Sequence, residues 1–239
     1  VRLVGPAGTV GAAERLIARW IDHVRTHEPV EASRLGLPDR DGDLPDLSGS
    51  GLDARARSLS ALAAAVDLAL AAVPAGATGA VLGAAGDLRL LADTVAWRLA
   101  ELEDRPRHAL DPLPALDTVA GGVHALLRTD GTDVAEQRRR LTAAVRRVRR
   151  VPRFLEQAGA ALTGVSVPAY EVATQRVAGL VGLVRDVLPH RAAALGLDVD
   201  GARDAGEYAA EGLEAFAALV DELVDDRRTD WRVGPVHHG

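Results

Sequence analysis

Apolar side chains return every three or four residues through at least six segments of this chain. That period matches the 3.6-residue turn of an α-helix and not the two-residue alternation of a strand. Between Thr9 and Glu28, Leu16, Trp20 and Val24 fall at i, i+4 and i+8, with Ile17 and Ile21 beside them. Pro29 closes that helix. The pattern resumes at Leu52, Leu59, Leu62, Val66, Leu70 and Val73, and again at Leu88, Leu91, Val95, Leu99 and Leu102. Two further long helices are predicted over Pro168–Pro189 and Asp204–Asp226. No segment alternates as a strand, and no fixed-period repeat stands out. The chain is predicted to be all-α: one helical domain over residues 1–239, an array of about seven or eight helices, with an Asp- and Pro-rich connector after the first.

Composition says what fills the core. Hydrophobic residues make up 48% of the chain and aromatic residues only 3%. Leu, Val and Ala must therefore do the packing, and small side chains let helices approach closely. Cys, Met and Lys are absent, so every basic side chain is Arg and no thiolate is available to a metal or a disulfide. The net charge of −6 argues against nucleic acid as a partner. The N-terminal residues show no apolar signal segment, so a cytoplasmic location is expected. The longest uncharged run, Leu68 to Gly86, is broken by Pro74, Gly76 and Gly79. It is predicted to be two helix ends around a turn and not a membrane span.

Four stretches hold residue types that could carry chemistry. Residues 31–48 place Asp39, Asp41, Asp43 and Asp46 within eight positions. A calcium loop begun at Asp39 would need glycine at its sixth position and Glu at its twelfth, where Leu44 and Ser50 stand. A catalytic carboxylate pair would be poorly held on such a loop. A solvated connector with turn-forming Asp and Pro is the simpler expectation. His23 and His27 share a helix face at the four-residue spacing zinc requires, but Val24 stands where the H-E-x-x-H motif needs its glutamate. They are expected to be a surface pair. His237 and His238 are expected to be a tail. Residues 48–55 carry two glycines but no Lys and no preceding strand, so they are not a phosphate loop.

The strongest charge run is residues 138–153, with eight arginines. Leu141, Val145 and Val148 make a narrow apolar stripe, and the arginines fill most of the rest of the wheel. A solvated amphipathic helix is expected, with Thr132 as its N-cap; binding of an acidic partner or phosphate is the alternative. Gly121 and Gly122 sit inside the preceding predicted helix and weaken it by about 1 kcal/mol each relative to Ala. No nucleophile, base and orienting group converge anywhere. No catalytic, cofactor-binding or metal-binding residue is therefore assigned, and no cofactor is expected in this chain.

Two segments together resemble a bacterial family, domain of unknown function 885. Pro29, Ala32, Leu35, Gly36, Asp41, Leu44, Pro45 and Asp46 are similar to its opening helix-to-loop signature. Arg140, Leu141, Val151, Pro152 and Leu155 are similar to a later segment, about a hundred residues on in both. Residues 229–235 resemble a Gly-containing element that follows the family's long helices. The resemblance implies a helical architecture related to zinc peptidases and a metal motif, His-Glu-x-x-Pro-Gly-His, in the C-terminal half of members more than twice this length. These 239 residues do not contain that motif, so no family ligand is carried onto any residue here.

The expectation is then a helical N-terminal region of such a protein. It would be the scaffold half of a metallohydrolase, without catalysis of its own, and its partner would be the remainder of the full-length protein. The alternative is a stand-alone interaction module that docks a protein through the Arg-rich helix 138–153.

Overall fold

The computed structural model describes residues 6–103, 109–128 and 133–225. It is all-α, as the period predicts. Seven helices of 15 residues or more form the frame: α1 (Pro6–His27), α3 (Gly49–Ala71), α4 (Gly79–Glu103), α5 (Leu113–Leu127), α6 (Val134–Val148), α8 (Val167–Gly182) and α10 (Val199–Glu222). Three shorter ones join them: α2 (Pro29–Arg34), α7 (Val151–Gly159) and α9 (Leu188–Ala194). Extended pairing among the described residues is confined to β1 (Val165–Ser166), parallel to β2 (Val224–Asp225). No helix among them is long and apolar enough to cross a membrane.

The one domain expected over residues 1–239 is subdivided into two compact units, and neither is contiguous in sequence. The first unit holds residues 1–27 and 48–105. Helices α1, α3 and α4 pack against one another around Leu16, Leu59, Leu62, Val66, Leu88, Leu91 and Val95. The predicted period supplied all seven. The uncharged run from Leu68 to Gly86 is two helix ends and a turn, with Gly76 at φ +76°, a conformation open to glycine at no steric cost.

The second unit holds residues 28–47 and 106–239. Its centre is α10, packed against α6, α7, α8 and α9. Asp198 caps α10 by accepting from the Gly201 amide at 2.9 Å. Ala202, Ala205, Gly206, Ala209, Ala210, Leu213, Phe216 and Val220 form its buried stripe. Helix α8 runs through one π turn, Leu183–Val187, into α9. Gly206 faces that turn, with no room for a Cβ against the Val184 carbonyl.

Helix α2 departs from the expectation that Pro29 only closes the first helix. Proline ends one helix and opens the next equally well, since a first-turn amide needs no partner. Helix α6 is capped by Asp133, whose Oδ1 accepts from the Glu136 amide at 2.8 Å. The expected cap, Thr132, lies outside the described residues. Pro152, in the first turn of α7, restarts the chain there.

Candidate functional site

The Asp-rich loop and the Arg-rich helix meet within the second unit, and their meeting point is a buried guanidinium. Arg147 is fully buried on α6. Its Nε donates to the Asp43 carbonyl at 2.9 Å and its Nη1 to the Gly122 carbonyl at 2.7 Å. Its Nη2 donates to Ser33 Oγ at 2.8 Å and to the Pro29 carbonyl at 3.3 Å. Three carbonyls and a hydroxyl thus surround one cation, and no carboxylate is among the four acceptors. Burial lowers the Arg147 pKa to about 10; the charge of Asp41 works against that shift, and that of Arg34 adds to it.

Asp41 is the nearer source of compensation. Its side chain is only 5% exposed. Ser33 Oγ lies 2.6 Å from Asp41 Oδ1 and 3.0 Å from the Pro29 carbonyl. The single hydroxyl proton serves the shorter, charged contact, and the oxygen accepts from Arg147. Asp41 Oδ2 accepts from Arg139 Nη1 at 2.8 Å, and Arg139 in turn chelates Glu136 at 2.7 and 2.8 Å. The Glu136 hydrogen bonds raise the Arg139 pKa most, with Asp41 adding to them. The result is a continuous line: Arg147, Ser33, Asp41, Arg139, Glu136.

Asp43 and Asp46 of the loop are tied down in the same way. Asp43 pairs with Arg150 and, at 3.2 Å, with Arg40. Asp46 accepts from Gln157 Nε2 at 3.0 Å, and Gln157 Oε1 accepts the Leu47 amide at 3.0 Å. The solvated connector expected here is therefore a docked segment. The Arg helix is amphipathic as expected, with six of its eight arginines exposed, and Arg147 is the departure. Arg147 lies inside the unit, and Ala143 and Ala144 widen the buried stripe beyond Leu141, Val145 and Val148. Arg138, Arg140 and Arg149 donate to the carbonyls of Leu195, Arg128 and Gly201 at 2.9, 3.0 and 3.2 Å.

Gly121 and Gly122 lie inside α5 as expected, and they have a packing role besides. Arg34 lies across the space where a Gly121 side chain would be. A Cβ at Gly122 would stand 3.0 Å from Val30 Cγ2 and 3.2 Å from Arg147 Nη1. The glycines therefore admit two guanidinium groups to the backbone of α5. Two consecutive glycines within an otherwise apolar helix were the available signal.

The histidine pair belongs to the first unit and is not the expected surface pair. His23 is buried at 3% exposure. Its Nδ1 is hydrogen-bonded to Ser58 Oγ at 2.8 Å, and its ring stacks on Trp20 with centroids 5.5 Å apart. His27 is half-buried, 4.9 Å from His23 between centroids. Their spacing from Trp20, three and seven residues, already put both on the apolar face. His124 and His190 are exposed on separate helices, and His108, His237 and His238 lie outside the described residues. Among the described residues, no three His, Asp or Glu side chains gather as a metal would need.

A family model described as "Bacterial protein of unknown function (DUF885)" matches residues 29–235. The chain belongs to the DUF885 family. The match begins at Pro29, the residue that opens α2 and gives its carbonyl to Arg147. It includes both segments that meet at Arg147, so in this DUF885 chain the two sequence signatures are two sides of one contact. The element at residues 229–235 lies within the match but outside the described residues. No curated protein and no solved structure matches the chain.

Proposed function

We propose that this DUF885 chain is a helical scaffold region, and that in a full-length protein it forms one wall of a metallohydrolase cleft whose ligands lie outside these 239 residues. The observation that carries the reading is the mutual satisfaction of the loop and the Arg helix. Asp41, Asp43 and Asp46 all face Arg or Gln partners in the same unit. Carboxylates bound in this way hold a shape and are poorly placed to ligate a metal or move a proton.

The same observation bears on the alternative, a module docking a partner through residues 138–153. Six of its eight arginines, Arg138, Arg139, Arg140, Arg147, Arg149 and Arg150, have acceptors within their own unit. It also supports a chain without a nucleic-acid partner, since phosphate contact would compete with those acceptors.

The test is to sequence the genomic frame past Gly239 and assay both forms. An open frame encoding His-Glu-x-x-Pro-Gly-His, with zinc-dependent hydrolysis in the long form and none in the 239-residue chain, supports the scaffold reading. Stoichiometric zinc retained by the 239-residue chain, with peptide hydrolysis, overturns it. Tight, salt-sensitive retardation of DNA or RNA at physiological salt would restore the binding reading.

A further inference from the structure

Residues 28–47 follow α1 in sequence but group with the second unit, and the chain resumes the first unit at Ser48. The second unit's apolar core draws no buried residue from this excursion. Only Leu44 and Leu47, both half-buried, lie against that core. Pro29, Val30 and Ala32 are buried on α2, with Val30 beside Gly122 of α5, but they belong to neither core. Besides this packing of α2 on α5, the excursion is attached by polar contacts: the Arg147 hydrogen bonds to Pro29, Ser33 and Asp43, the Asp41–Arg139 and Asp43–Arg150 pairs, and Gln157 bridging Asp46 and Leu47.

We propose that residues 28–47 form a charge-held strap that opens from α5, α6 and α7 while the helical core of the same unit stays folded. Two physical points favour separate opening. Ion pairs at partly exposed sites weaken under salt, whereas the apolar core around α10 does not. Docking also keeps the Arg147 charge away from water, and lifting the strap returns water to it. The desolvation cost that lowers its pKa is then relieved, which reduces the free energy of opening. Sub-global opening of this kind is ordinary for segments with few buried apolar contacts. Its consequence is that Arg147, buried in the docked form, joins the already exposed Arg139 and Arg150 on one face of α6 only in the open form.

Hydrogen exchange on the whole 239-residue chain tests this. The Leu47 amide, bonded to Gln157 Oε1, reports docking directly, and the Ala32 amide, bonded to the Glu28 carbonyl, reports α2. The amides of Leu213 and Phe216, both buried on α10, report the core. Raising salt from about 0.02 M to about 0.5 M should speed the strap amides roughly threefold or more and leave the core amides unchanged. Asp41→Asn and Arg139→Gln should each speed the strap amides by roughly tenfold at low salt. If Asp41→Asn unfolds the whole chain, Arg150→Gln takes its place, because Asp43 has Arg40 as a second partner. Strap and core amides exchanging at one common rate at every salt concentration would overturn the proposal. So would strap exchange indifferent to both salt and these variants.

Discussion

Arg147 Nη1 donates to the Gly122 carbonyl at 2.7 Å, and the same guanidinium, with Val30, fills the space a Gly122 side chain would need. One residue of α5 thus has two duties toward α6, an acceptor and a gap.

Gly122→Ala should therefore destabilise the protein, although Ala favours helix by about 1 kcal/mol. Val30 is buried and Arg147 is fixed by four hydrogen bonds, so neither can give way cheaply. Gly86 on α4 is the control, since nothing lies within 4 Å of its Cβ position. Gly86→Ala should raise the urea midpoint, while Gly122→Ala lowers it. A rise in both would mean that Val30 and Arg147 yield easily.

Arg147→Met should cost roughly 2–4 kcal/mol, because three carbonyls and a hydroxyl lose their donor in a dry site. Arg147→Lys should recover only part, since one ammonium cannot reach acceptors spread around a planar fork. Alkali adds a signature. The folded value of about 10 lies below the ordinary guanidinium value, so between them the unfolded chain holds this proton more tightly. The wild type should gain stability relative to Arg147→Met as pH climbs through that window. Chemical denaturation at pH 9 and pH 11 measures the difference.

Glu136 sets the acid response. The hydrogen bond from Arg139 is the main cause holding its carboxyl below the ordinary 4.5. The folded form thus favours the charged carboxylate. Its contribution is present above pH 4.5 and is lost as pH falls through the lowered value. Glu136→Gln should make the Tm less sensitive to acid below pH 4.5. An unchanged acid profile would show that this exposed pair contributes nothing measurable.

Gly206→Ala should be among the most damaging single-methyl changes in the chain. Its Cβ would overlap the Val184 carbonyl oxygen and stand 3.0 Å from the carbonyl carbon. Both are backbone atoms of the π turn and cannot rotate aside. A loss of about 2 kcal/mol or more is expected in urea unfolding. Gly179→Ala on α8, where nothing lies within 4 Å, should be harmless.

The long helices were legible because their evidence is local. Leu59, Leu62 and Val66 announce one buried face within two turns. The site was half legible. The loop and the Arg run each stood out, but the Asp41–Arg139 pair spans 98 positions and no local pattern encodes it. Charge balance offers a polar segment many partners or plain water, and only tertiary packing chooses among them. His23 was misplaced for a related reason. A histidine on an apolar face is buried only if a neighbour satisfies it, and that neighbour is Ser58 on α3.

The interleaved path of the chain bears on how a protein like this can be dissected. A fragment beginning at Pro106 keeps α5 to α10 but discards three of the four acceptors of Arg147. Its helical core would stay folded with Arg147 open to water, and the faces of α5, α6 and α7 that the segment covers would be altered. Loss of activity in such a deletion would be credited to the missing segment as if that segment carried chemistry. Truncation series cut at sequence landmarks therefore confound support with function in this fold. Point substitutions, or a graft that keeps residues 28–47 joined to the later helices, separate the two.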